Sequence, residues 1–160
     1  MTISMPTTKP RTVSTRTVWK GERRFDAGPE GRTVPMDGDS REAPGPVESL
    51  LSALATCSGI DVVDILAKRR TPAEQFEVHA TAERRAEHPR RLERVELEFQ
   101  VKGPGIDPEQ AEQAIQLSFE KYCSVAASLA SDIQISARLV LNGERLPAKT
   151  LKVWTPSPER

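Results

Sequence analysis

The chain has 160 residues, and its 23 Lys and Arg balance 23 Asp and Glu for a formal net charge of zero. That length suits one domain with room for a core, and that charge argues against a protein devoted to phosphate backbones or anionic membranes. With 4 Phe, 2 Trp, 1 Tyr and 2 Cys, the chain lacks the material for a base-stacking platform or a disulfide scaffold.

No apolar run approaches the roughly 20 residues of a membrane span, and the N-terminus lacks an apolar signal core. A soluble cytoplasmic protein is expected, with no nucleic-acid and no membrane partner.

Residues 1–11 are Thr- and Pro-rich and read as a flexible N-terminus. A single domain is expected over 12–141. Val13, Thr15, Thr17 and Trp19 alternate with other residues, the period of a strand. Arg24–Asp26 and Thr33–Met36 suggest two further short strands, separated by glycine turns. Pro46 suits a first helical position, where its missing N–H costs nothing. The segment that follows is predicted to be helical as far as Arg70. Its apolar residues (Val47, Leu50, Leu51, Leu54, Cys57, Ile60, Val62, Val63, Ile65, Leu66) cover more than one face, so the helix is expected to be buried on most sides.

Two alternating runs, Phe76–Thr81 and Leu92–Val101, read as antiparallel strands with one wet face. Between them, Glu83–Arg91 reads as a solvated hairpin tip. Asp107-Pro108 with Gln110 is a helix start, and a helix is predicted to about Lys121. A shorter one follows around Cys123, Val125, Ala126 and Leu129. Ile133–Leu141 alternates strictly as a last strand, and Asn142-Gly143 is a turn. The tail, 142–160, is open to two readings, disorder or wrapping of a neighbour. Strands, long helix, strands, helices and strand make an α+β fold with antiparallel sheet.

Nucleotide-binding glycine loops, CxxC and HExxH are absent. His79 falls on the polar side of a strand and His88 in a charged turn, so both read as surface residues. A metal site built from Cys57, Cys123 and a histidine is disfavoured, because no local spacing resembles a zinc site. Taken singly, Cys57 and Cys123 read as small buried hydrophobes. Asp61, one turn after Cys57, would raise a neighbouring thiol's pKa. It is therefore expected to point away or to pair, with Lys121 or an arginine. Asp64 lies nearly two turns after Cys57.

The segment PVESLLSALATCSGIDVVDIL, followed by SFEKYCSVAASL, resembles the osmotically inducible protein C / organic hydroperoxide resistance family, in particular its branch with the Glu-Lys-Tyr-Cys-Ser-Val motif. The resemblance spans Asp37 to Leu141. It implies an intertwined homodimer, with antiparallel sheets wrapped around long central cysteine-bearing helices. It also implies thiol-dependent reduction of organic hydroperoxides, with Cys57 as the peroxidatic cysteine and Cys123 as the resolving one. No metal or flavin is implied, and an external thiol or dithiol is the reductant.

In the peroxide-reducing branches an arginine, held by a glutamate near the start of the cysteine helix, activates the thiolate. Glu48 fills the Pro-x-Glu pattern here, although the organic hydroperoxide branch has its glutamate directly after the proline, where this chain has Val47. Arg23, Arg24, Arg32 and Arg41 are candidates for the cation, and Arg41, just upstream of the helix, is favoured. The alternative is a non-enzymatic small-molecule-binding or structural module with inert cysteines.

Overall fold

Short alternating segments need partners before they are strands. In a computed structural model, which describes residues 9–158, the first alternating run pairs only from Arg16 on. The expected flexible segment at 1–11 lies mostly outside the described residues, as do residues 159–160. The chain forms two compact units, one up to Ser49 and one from Leu50 onward.

In the first unit, β1 (Arg16–Gly21), β2 (Arg24–Gly28) and β3 (Val34–Asp37) make an antiparallel meander. Val13 stays out of it, 90% exposed, because β2 offers only Arg24–Gly28 as a pairing edge. This sheet has little core of its own: Trp19, Val34, Phe25 and Val18 are exposed. Its most buried side chain is polar. Asp37 accepts hydrogen bonds from the backbone N–H of Asp39 (2.9 Å), Arg41 (3.1 Å) and Glu42 (3.1 Å). Those bonds, Asp39's first, hold its carboxyl below the usual aspartate range.

The 23-residue helix α1 (Pro46–Lys68) starts at the end of this unit. By length and composition it is apolar enough to cross a membrane, which corrects the expectation that no segment approaches that size. In this fold one stripe of it is covered: Leu54, Ser58, Gly59, Val62 and Leu66. Leu50, Ile60 and Val63 are exposed, so a single chain does not bury the helix on most sides.

In the second unit, β4 (Gln75–Arg84) pairs antiparallel with β5 (Leu92–Lys102). Next comes β6 (Gln134–Leu141), which is parallel to β5. Alternation carries no strand direction. The connection from β5 to β6, through α2 (Pro108–Leu117), a π-type turn (Ser118–Tyr122) and α3 (Ser124–Ser128), is a helical crossover that returns the chain in the same direction. Asp107 caps α2 by accepting from the Gln110 N–H, as its sequence suggests.

One face of the sheet is apolar, with Val95, Leu97, Phe99 and Val101 of β5 beside Ile135, Ala137, Leu139 and Leu141 of β6. Gly59 lets α1 sit on β4; a Cβ there would meet Phe76 Cε1 at 3.2 Å. The chain after Leu141 folds back on β6 through β7 (Glu144–Arg145) and β8 (Lys149–Thr150). Beyond them, the Trp154 N–H donates to the Phe119 carbonyl. At the expected hairpin tip, Arg91 reaches out to Asp132 in a two-pronged ion pair, 2.6 Å on each arm.

Candidate functional site

Residues four apart on a helix share a face. Cys57 and Asp61 stand in that relation on α1, and both face the segment that follows α2. Cys57 is half-buried and Cys123 buried, and both are free thiols. The Cys123 thiol is pushed up to about 12. Burial is the main cause, opposed by the Ala126 N–H, which donates to Cys123 Sγ at 3.4 Å. The neighbouring Cys57 and Asp61 push it further upward. An effect of that kind requires Cys57 and Cys123 to be neighbours. The structure therefore brings the two cysteines together.

Asp61 is paired, as expected, but with a different partner. Ser118 Oγ, fully buried, donates to Asp61 Oδ2 at 2.8 Å. Lys121 instead lies over the Tyr122 ring, 5.2 Å from its centroid, and Asp64 is exposed. Ser118 was not legible as a site residue, because a serine in a helical segment reads as solvated. The available signal was a carboxylate one turn from a cysteine, which needs a donor.

Glu48 and Arg41 lie in the first unit. Glu48 Oε2 accepts from the Gly45 N–H at 2.8 Å, a helix-capping contact. Arg41 gives its backbone N–H to Asp37 while its side chain is exposed. No ion pair joins Glu48 to an arginine among the described residues. Arg23 pairs with Asp39, and Arg24 with Glu22 and Glu42. His79 is exposed beside Glu77. Among the described residues no three His, Cys, Asp or Glu side chains converge as metal ligands.

Residues 37–138 match the OsmC-like protein family, more than half of the chain. The chain belongs to the OsmC family. Protein YhfA of Escherichia coli (strain K12) is 43% identical over 107 residues, spanning 66% of this chain and 80% of YhfA. The OsmC like protein from Mycoplasma pneumoniae has a TM-score of 0.73 at 16% identity, covering 83% of this chain and 99% of that one. OhrB of Bacillus subtilis, an organic hydroperoxide resistance protein, has a TM-score of 0.55 at 11% identity, covering 82% and 98%. Both structures share the fold: α+β, with largely antiparallel sheets. The first two strands of this OsmC chain, and β7 and β8, lie outside the matched span.

Proposed function

We propose that this OsmC-family protein reduces organic hydroperoxides with its two cysteines, as a cytoplasmic homodimer. The observation that carries the reading is that Cys57 and Cys123, far apart in sequence, are neighbours in the fold, close enough for Cys57 to raise the Cys123 thiol's pKa. The half-buried Cys57 is the peroxidatic residue and the buried Cys123 the resolving one.

The Cys57 thiolate attacks the distal oxygen of the hydroperoxide. An S–O bond forms, the O–O bond breaks, and the alkoxide leaves with a proton as alcohol. Cys57 is then a sulfenic acid. The Cys123 sulfur displaces its hydroxyl, which leaves as water with the Cys123 proton. An external thiol or dithiol reduces the resulting disulfide by exchange, and no bound cofactor takes part. Arg41, whose guanidinium forms no ion pair among the described residues, is the proposed activating cation. Glu48, with one carboxylate oxygen on the Gly45 N–H, is proposed to hold it through the other.

Two exposed apolar surfaces support the dimer. One is the first sheet, with Val18, Trp19, Phe25 and Val34. The other is the open, mostly apolar cleft of α1 and β4, where Ile60, Val63, Phe76 and Val78 line it together with Thr56 and Asp64. A second copy would cover such patches.

The second reading, inert cysteines in a binding or structural module, is favoured by the Cys123 thiol at about 12, which is protonated at neutral pH. Thiol titration before and after one equivalent of cumene hydroperoxide separates the two. The proposed peroxidase loses both thiols and gains an intramolecular disulfide, and Cys57→Ser abolishes turnover. Unchanged thiols would establish the second reading instead, and turnover that survives Cys57→Ser would overturn the two-cysteine mechanism.

A further inference from the structure

The contact between α1 and the segment Ser118–Cys123 has two rungs. On α1, Cys57 and Asp61 are one turn apart, about 6 Å along the axis at 1.5 Å per residue. On the facing segment, Cys123 meets Cys57 and Ser118 meets Asp61. Ser118 and Cys123 are five positions apart, a spacing that an α-helix does not stack. The π-type turn supplies the match. The Cys123 N–H donates to the Ser118 carbonyl at 2.7 Å, closing a ring one residue wider than an α-turn. In an unbroken α-helix Tyr122 would close that ring, and Cys123 would be rotated about 100° away. In the fold, Tyr122 is 50% exposed and Cys123 is 2% exposed.

We infer that Asp61 is a positioning residue for the cysteine pair: by accepting the Ser118 hydroxyl it holds the π-type turn that brings Cys123 to Cys57. Several observations meet in this assignment. A carboxylate one turn from a thiol opposes thiolate formation, so electrostatics alone argues against placing Asp61 there. Ser118 is fully buried, and the second end of its backbone carries Cys123. The side chain of one residue therefore ties to α1 while its carbonyl ties to the second cysteine. The wider turn is also braced from outside, where the Phe119 carbonyl accepts from the Trp154 N–H at 2.9 Å. The inference rests on the reading of Cys57 and Cys123 as a working dithiol pair, but not on peroxide as the oxidant.

The test is the equilibrium of the Cys57–Cys123 disulfide in a glutathione buffer. Oxidised glutathione takes up the two electrons and leaves as two reduced molecules, and the protein gains one S–S bond. Ser118→Ala and Asp61→Ala are each expected to lower the effective concentration of the pair by about tenfold, the scale of one hydrogen bond to a charged group. The double variant is expected to lose no more than either single one, because both remove the same bond. Asp61→Asn keeps a carbonyl acceptor and is expected to stay within about threefold of wild type.

Thermal melts of the reduced proteins report folding separately. Unchanged disulfide equilibrium in a folded Ser118→Ala protein overturns the inference, as does full additivity of the two alanine substitutions. A wild-type chain that forms the disulfide with glutathione yet ignores cumene hydroperoxide would sink the peroxidase and leave the positioning role standing. A wild-type chain that forms no disulfide overturns both.

Discussion

The two sheets of this molecule are held in order by different physics. The second sheet has an apolar face, in which Phe99 and Leu97 of β5 are fully buried beside Leu139 of β6. The first sheet leaves Trp19 64% exposed and Val34 56% exposed, and its best-buried side chain is the Asp37 carboxylate. One sheet is a packed layer. The other is a hairpin meander whose connecting loop is fastened by one anion, and three thin strands without a covered apolar face are marginal alone. The difference teaches that fold stability is concentrated in the second unit, and that the first sheet leaves its large apolar side chains uncovered in the single chain.

The largest expected effect tests the first half of that contrast. Phe99 is fully buried and stacks edge-to-face on Phe76, with ring centroids 6.1 Å apart. Phe99→Ala is expected to lower the unfolding free energy by about 3–5 kcal/mol in urea denaturation, through lost transfer energy and a residual cavity. Phe25→Ala, in a residue 38% exposed, is expected to cost much less in dilute monomeric protein. Equal losses at the two positions would erase the distinction between the sheets.

The next effect tests the proposed dimer, at a mostly apolar cleft of the second unit. Ile60 is 56% exposed at the middle of α1, within an apolar cleft beside Val63 and Val78. Ile60→Asp is expected to leave the far-ultraviolet spectrum of the chain unchanged and to shift sedimentation from dimer to monomer, since a charge is costly to bury in an apolar interface. A dimer that persists in this variant would show that the exposed face of α1 is not where the second copy sits.

The same contrast explains what could be read from the sequence. The strands of the second sheet were legible because their alternation is strict: the apolar positions of β5 and β6 are the ones that face the core. The start of α2 was legible because Asp107, Pro108 and Gln110 are local signals with local consequences. The direction of β6 was not legible, since a period of two is the same forwards and backwards. Nor was the π-type turn at Ser118, because it follows from tertiary contacts with Asp61 on one side and Trp154 on the other. The cysteine pair was named from a family resemblance rather than from periodicity, and its meeting is a property of the packed unit. Glu48 was named from a pattern, and in the fold its carboxylate caps the helix through Gly45.

The smallest expected effect isolates the anion that organises the first unit. The Asp37 carboxyl lies below the usual aspartate range, chiefly because the Asp39 N–H and then the Glu42 N–H donate to it. A pKa lowered by folding means that the ionised form is the one the fold stabilises. That contribution is fully present above the unfolded value of about 3.9 and fades as pH falls through the lower folded value. Acidification below about pH 4 is therefore expected to release the 37–45 loop before the second sheet unfolds. Faster amide exchange at Asp39, Arg41 and Glu42 is the readout, with the amides of β5 still protected. Asp37→Asn keeps one oxygen acceptor, carries no charge, and is expected to flatten the pH dependence while loosening the loop at neutral pH. If the β5 amides were released in the same step as the loop, the two units would share one stability, and the loop's carboxylate could not be its separate fastening.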